Sequence, residues 1–341
     1  MTDIKLLALD LDGTLLNADK KISKRNREAI FAARAKGVKV VLTTGRPLKA
    51  MEYLLDELGT AGLADEYTIT FNGGLVQRNS GQILDKIVFS REDVMRIFRE
   101  TKRLNLPLDA ISDDLVYQLT SAQTSLYRKF NPHLQFQSVA IEELSDQKTY
   151  NKCVTATAPE SIDAALPLIS PDLFDQYEVF KSRDMLLEWS PKHVHKANGL
   201  AKLAQYLGIE ANQVMACGGE ENDRSMLEWS GIGVAMGNAT VAIKQVANVV
   251  APMTNDEDAV AWAIERGGPF MGLFDRLFGR KKENNEEVAH TQVPEVKEAV
   301  EKVEIEDHSQ PTVSLEQSQK ESSQSLELEN KQDFYEDLEE R

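Results

Sequence analysis

Apolar residues change period in a regular way along the first seventy positions. Ile4 to Leu9 is a short apolar run of the kind found in a strand buried on both faces. Ser23 to Lys36 then reads as a helix: Ser23 caps it, Ile30 and Phe31 share a face, and Gly37 stops it. Val38 to Leu42 is β-branched and apolar, a second strand. Pro47 to Leu58 opens with proline in a first helical turn and ends before Gly59. Thr68 to Phe71 gives a third strand, closed by Asn72-Gly73-Gly74. Alternating strands and helices at this spacing predict a parallel sheet with right-handed crossovers.

The same grammar returns late. Helices are expected at Ala197–Leu207, Asp223–Trp229, Val241–Val246 and Asp256–Glu265, and strands at Val214–Cys217, Gly231–Ala235 and Val249–Ala251. The middle is mixed. Strand-like pieces (Ile83–Phe89, Val154–Ala156, Val179–Phe180, Leu186–Trp189) flank helical ones (Arg91–Leu104, Glu160–Ile169). The expected α/β organisation is therefore a doubly wound core in two parts, 1–83 and 189–269, with an α+β domain, 84–188, inserted between them.

After Pro269 the composition breaks. From Glu283 onward Glu, Gln, Ser, Asn and Lys dominate, and the only aromatics are Phe334 and Tyr335. Such a stretch cannot bury enough apolar surface to offset its ordering entropy, so a disordered acidic tail is expected. Of the formal net charge of −16, residues 271–341 carry −10 (19 acidic, 9 basic). That balance excludes nucleic acid as the main partner, which would need a basic face. Cys153 and Cys217 are too few for a disulfide framework and fit buried thiols in a reducing cytosol. The opening MTDIKLLALDLDG lacks signal-peptide character, and no apolar run reaches membrane-spanning length. A cytoplasmic protein is expected.

Polar chemistry gathers where the predicted strands end. The first ends in Asp10-Leu11-Asp12-Gly13-Thr14, placing two carboxylates at the carboxyl edge, where doubly wound sheets bind ligands. Two acids converging there repel, so they need a cation, a shared proton or plain solvent. The second ends in Thr43-Thr44-Gly45-Arg46-Pro47, a hydroxyl, backbone N–H groups and a guanidinium suited to an anion. The third ends in Asn72-Gly73. Lys196 precedes a late helix, and Gly218-Gly219-Glu220-Glu221-Asn222-Asp223 follows a late strand. Hydrophobic periodicity does not require polar residues at each of these turns, so their combination points to a site.

DLDGT at 10–14, TTGRP at 43–47, NGG at 72–74, LEWSPKHVHKANGL at 187–200, GGEENDRSML at 218–227 and GVAMGNA at 233–239 together resemble a haloacid-dehalogenase-superfamily phosphatase of the Cof type (subfamily IIB). The resemblance spans about residues 4–266. It implies a Rossmann-like core with an inserted cap, and hydrolysis of small phosphorylated metabolites such as sugar phosphates. By it, Asp10 is the nucleophile that becomes an aspartyl phosphate, and Asp12 is the acid, then the base. Thr44 and Lys196 would hold the transferring group, and Arg46, Asn72 and Gly73 would contact substrate. Glu188 would touch substrate or pair with Arg183. Mg²⁺ would bridge Asp10 and the phosphoryl oxygen, with the Asp12 carbonyl as a further ligand.

One position departs from the pattern. Where the family has a metal-binding aspartate, this chain has Gly219. Glu220 could reach in, or Asp223 and Asn222 could hold the metal through water. The two outcomes are a phosphatase with weakened metal affinity and a metal-impaired phosphometabolite binder.

Other signals carry less. His193 and His195 have a spacing that zinc could use, but lack a third ligand, so exposed or capping roles are expected. The glycines at 231–237 have the wrong spacing for a dinucleotide loop. In the segment 270–282, Phe270, Leu273, Phe274, Leu277 and Phe278 recur at helical spacing ahead of Arg280-Lys281-Lys282. That pattern suits either packing on the core or weak peripheral contact with the anionic inner face of a membrane. MGLFDRLFGRKK and the acidic tail are similar to the N-terminal region of the bacterial signal-recognition-particle receptor.

Overall fold

The computed structural model describes residues 3–132 and 134–266. Its strands in chain order are β1 (Leu6–Leu9), β2 (Lys39–Thr43), β3 (Tyr67–Thr70), β4 (Leu75–Arg78), β5 (Ile83–Lys86), β6 (Leu108–Ser112) and β7 (Leu115–Leu119). They continue with β8 (Gln135–Val139), β9 (Lys152–Ala156), β10 (Tyr177–Arg183), β11 (Leu186–Pro191), β12 (Val214–Gly218), β13 (Ile232–Ala235) and β14 (Val249–Val250). They form two sheets, one ordered β14-β13-β12-β1-β2-β3-β4-β5 and the other β10-β11-β9-β6-β7-β8.

The first sheet is parallel from β14 to β3, because its strands are linked by helical crossovers. Burial on both faces explains the apolar run in β1. Leu7 and Leu9 pack with the helices Lys24–Ala35 and Ala259–Arg266 in one cluster, while Leu6 and Ala8 pack with Leu200 and Leu203 in another. Ser23 caps the Lys24–Ala35 helix by accepting a hydrogen bond from the Asn26 amide. Residues 47–58 are not one helix. A 3₁₀ turn at Leu48–Ala50 is broken by Met51 at φ −137° before the helix Glu52–Glu57.

Two strands differ from the sequence expectation. β4 and β5 add to the sheet antiparallel, so it is mixed rather than purely parallel. A turn at Phe71–Gly73, with Phe71 and Asn72 at positive φ, reverses the chain into β4. β5 therefore belongs to the first sheet, although residues 84 onward were expected in the insertion. Those residues are half-buried edge positions whose apolar character alone does not say which sheet they join.

The second sheet is antiparallel except where β7 and β8 run parallel. Its strands alternate between two clusters. Leu108, Cys153, Leu187 and Trp189 pack with the helix Arg91–Arg103, while Ile111, Val116, Val154 and Leu186 pack against Phe71 and Leu75 of the first sheet. That second face, turned toward the ends of β1–β3, carries Lys152 and Glu188 by the same period of two. None of the described helices is long and apolar enough to cross a membrane. The segment 270–282 and the acidic tail lie outside the described residues.

Candidate active site

β1 lies between β2 and β12, the point where the order of connection reverses and where open α/β sheets bind ligands. Asp10, just beyond β1, is 5% exposed. Lys196 opens the helix Lys196–Leu207 and is wholly buried. Its Nζ lies 2.5 Å from Oδ1 of Asp10 and 2.5 Å from Oδ1 of Asp223. Burial raises the Asp10 pKa, and the Asp223 charge beside it adds to the rise, against the opposing pull of Lys196. Burial would lower the Lys196 pKa, but the two carboxylates outweigh it and hold the ammonium charged.

Local backbone demands explain this placement. Asp223 Oδ2 accepts hydrogen bonds from the Gly219 and Glu220 amides at 2.8 and 2.9 Å, folding the loop after β12 around one carboxylate. A Cβ at Gly218 would lie 2.5 Å from that of Asp223, so only glycine permits the fold-back. Gly73, expected to contact substrate, does not line the cleft. It sits at φ +97° where a Cβ would meet the His195 carbonyl oxygen at 2.3 Å, so its role is to seat the helix that begins with Lys196. His195 caps that helix, accepting from the Asn198 amide on Nδ1.

Asp12 faces a different partner set. Arg46 donates to it from Nε and a terminal nitrogen at 2.9 and 2.6 Å, and Lys20 donates at 2.9 Å. Burial would raise the Asp12 pKa, but these hydrogen bonds and charges win and hold it at about 2. Thr44, 2% exposed, accepts on Oγ1 from the Arg46 amide. Asn72 accepts from the Asn222 side chain at 3.1 Å, tying the ends of β3 and β12 together.

These groups open on one cleft of about 710 Å³, lined by Asp10, Asp12, Thr44, Arg46, Asn72 and Glu220 on the first-sheet side. Asn222 lines it too. The opposite wall is the inserted segment: Tyr127, Lys152, Arg183 and Glu188. Glu188 does not pair with Arg183. It accepts from Lys152 Nζ at 2.7 Å, and the same ammonium donates to the Gly45 carbonyl at 3.1 Å. Sequence reasoning passed over Lys152, Lys20 and Tyr127. Of these only Lys152 left a signal, a charge opening a strand whose other four residues are uncharged.

The donor set suits a small hard cation. Asp10 is the carboxylate with an oxygen to offer at the cleft, whereas Asp223 spends Oδ1 on Lys196 and Oδ2 on the Gly219 and Glu220 amides. Asp10 Oδ2 takes no hydrogen bond from a described residue. Among the described residues no three His, Cys, Asp or Glu side chains form a metal cage. Mg²⁺ needs none, since it is typically held by one or two carboxylates with water and substrate phosphate.

A charged aspartate pair at the switch point of a doubly wound sheet, roofed by a second sheet, defines a haloacid-dehalogenase-type hydrolase. The haloacid dehalogenase-like hydrolase family matches residues 7–264, and the chain belongs to it. The 5-amino-6-(5-phospho-D-ribitylamino)uracil phosphatase YitU of Bacillus subtilis is 32% identical over 268 residues, covering 75% of this chain and 94% of its own. A haloacid dehalogenase-like hydrolase from Bacteroides thetaiotaomicron superposes with a TM-score of 0.69 at 29% identity, covering 78% of this chain and all of its own. The subclass IIB sugar phosphatase BT4131 gives 0.65 at 27% identity, covering 77% and 99%. The chain is a phosphatase of this family's Cof type.

Proposed function

We propose that the chain is a Mg²⁺-dependent phosphatase that hydrolyses phosphorylated small metabolites, sugar phosphates or similar, through an aspartyl phosphate on Asp10. The observation that carries this reading is the Lys196 ammonium held between Asp10 and Asp223 at the sheet's switch point.

In this reading Asp10 Oδ2 attacks phosphorus, and the bond from phosphorus to the leaving oxygen breaks as the new one forms. Thr44 and Asn72 steady the phosphoryl oxygens while Lys196 offsets their charge. Asp12 gives a proton to the leaving oxygen, then takes one from the water that releases phosphate and restores Asp10. Held ionised near 2 by Arg46 and Lys20, Asp12 is ready for the second role. An arriving phosphate monoanion competes for those two cations and hands its proton to Asp12, which then passes it to the leaving oxygen. Asp10 and the Asp12 carbonyl would hold Mg²⁺, with Asp223 and Asn222 acting through water and Glu220 reaching in from the cleft wall. When bound, the ion supplies the positive charge that lets an anionic nucleophile meet an anionic ester.

Phosphate release from a phosphomonoester panel, with and without Mg²⁺, tests the reading. Loss of release in Asp10→Asn is expected, and metal-independent turnover would overturn it. Gly219 favours a second reading, a metal-impaired phosphometabolite binder, in which the panel binds but is not turned over at any Mg²⁺ concentration. Two free, buried thiols, Cys153 and Cys217, suit a cytoplasmic setting. For residues 270–282 we propose weak contact with an anionic membrane surface. Equal liposome binding by the full chain and by a chain ending at 269 would remove that role.

A further inference from the structure

Lys152 and Glu188 are the most deeply buried charges on the wall facing Asp10, at 4% and 6% exposure. They stand on neighbouring antiparallel strands, where Glu188 lies opposite Val154, so Lys152 is its diagonal neighbour on the same face. Burying two ions costs more than a simple packing role explains, since apolar residues of similar volume would serve a core as well or better. Both line the cleft.

Their hydrogen bonding is incomplete in a specific way. An ammonium has three donors, and Lys152 uses two, on Glu188 Oε2 and the Gly45 carbonyl. Glu188 spends Oε2 on Lys152, while its Oε1 takes no bond from a described residue. One donor and one acceptor are therefore left side by side at the cleft. A hydroxyl, which both donates and accepts, satisfies both at once. A second anion on the substrate would meet the Glu188 charge, and a methylene would leave both groups unpaired. The contact with Gly45 fixes this pair against the loop that carries Thr44 and Arg46, on the same cleft as Asp10 and Asp12.

Resting on the phosphatase reading above, we infer that Lys152 and Glu188 are the specificity-determining pair, which reads a hydroxyl on the leaving group of the ester. The pair selects by what it leaves unpaired, the kind of site that rejects an analogue lacking the hydroxyl most strongly.

The test compares matched esters: glycerol 1-phosphate against propyl phosphate, and a hexose 6-phosphate against its deoxy counterparts, with p-nitrophenyl phosphate as a general phosphatase substrate. The full chain is expected to prefer a hydroxylated ester in kcat/KM by at least about 10²-fold, the usual scale for charged hydrogen bonds to a substrate hydroxyl. Lys152→Met paired with Glu188→Gln removes both charges without stranding either, and Glu188→Gln alone is a milder companion. In either variant the ratio is expected to collapse toward one, whatever happens to the absolute rate. A wild-type chain that cleaves p-nitrophenyl phosphate yet treats the matched esters alike, or cleaves neither, overturns the inference, as does an unchanged ratio in a folded variant. If p-nitrophenyl phosphate itself is not cleaved, it is the phosphatase reading that fails.

Discussion

The Lys196 ammonium lies 2.5 Å from Oδ1 of Asp223, and neither side chain reaches solvent. Asp223 accepts on both oxygens, since Oδ2 takes the Gly219 and Glu220 amides. Asparagine has one acceptor oxygen, so Asp223→Asn must turn an NH₂ toward either the ammonium or the two amides. A loss of about 1–3 kcal/mol in denaturant unfolding is expected from that mismatch. Phosphate release should fall at least about tenfold, because Lys196 is no longer held in place. A variant as stable as the parent would mean that the loop is anchored elsewhere.

Gly73 links backbone shape to the same ammonium. Alanine there must adopt φ near +97° and push its Cβ against the His195 carbonyl oxygen, which sits one residue before Lys196. Gly73→Ala is expected to destabilise by at least about 2 kcal/mol, since a strained φ and a backbone clash add. The helix start can yield only by moving Lys196, so kcat should fall more than KM rises. Thermal melts and steady-state kinetics on the same preparation measure both.

How much of this was legible in the sequence depends on what each residue had to do. Asp10, Thr44 and Asn72 stood out because strand ends need no polar side chain, and all three line the cleft. The Lys24–Ala35 helix was legible through Ser23, whose cap is local. β6, β7 and β8 were passed over for the opposite reason. β8, Gln135–Val139, is largely exposed and shows little apolar alternation, and β6 carries a buried Asp109 among its apolar residues. Lys152 and Glu188 meet across strands separated by thirty-six positions, and no spacing rule reaches that far. Gly73 was expected to contact substrate, because nothing in the sequence reveals that a helix start will press against it.

Asp109 predicts a pH dependence away from the cleft chemistry. Burial raises its pKa from 3.8 to about 7, although hydrogen bonds from Ser125 and Gln118 and the charge of Arg128 oppose the rise. The folded chain therefore binds this proton more tightly than the unfolded chain does. Stability should drop as pH climbs from about 4 to about 7, where only the folded state keeps the proton, and level off above that. Asp109→Asn mimics the protonated form and removes the slope. At or below about pH 4 the variant and the parent should melt close together, and at pH 8 the variant should melt several degrees higher. Parallel pH–stability curves would place the titration on another group.

Gly219 offers the most direct handle on the metal. An added Cβ would meet the Gly13 carbonyl oxygen at 3.5 Å and Ala239 at 3.7 Å, ordinary contact distances, and the backbone there is not left-handed. Gly219→Asp should therefore fold without strain and keep the Gly219 amide bonded to Asp223. It places a new carboxylate beside Asp10, where the family has its metal-binding aspartate and where Asp223 already spends both oxygens on Lys196 and the loop amides. A few kcal/mol of added metal affinity corresponds to about 10²-fold, each 1.4 kcal/mol being tenfold. The Mg²⁺ concentration for half-maximal phosphate release should fall by that order, with the gain in turnover greatest where Mg²⁺ is limiting. Without metal the extra negative charge sits in an already anionic cluster, so chelation should destabilise the variant more than the parent. If turnover does not improve at any Mg²⁺ concentration, a residue already present, Glu220 foremost, supplies the ligand that Gly219 lacks.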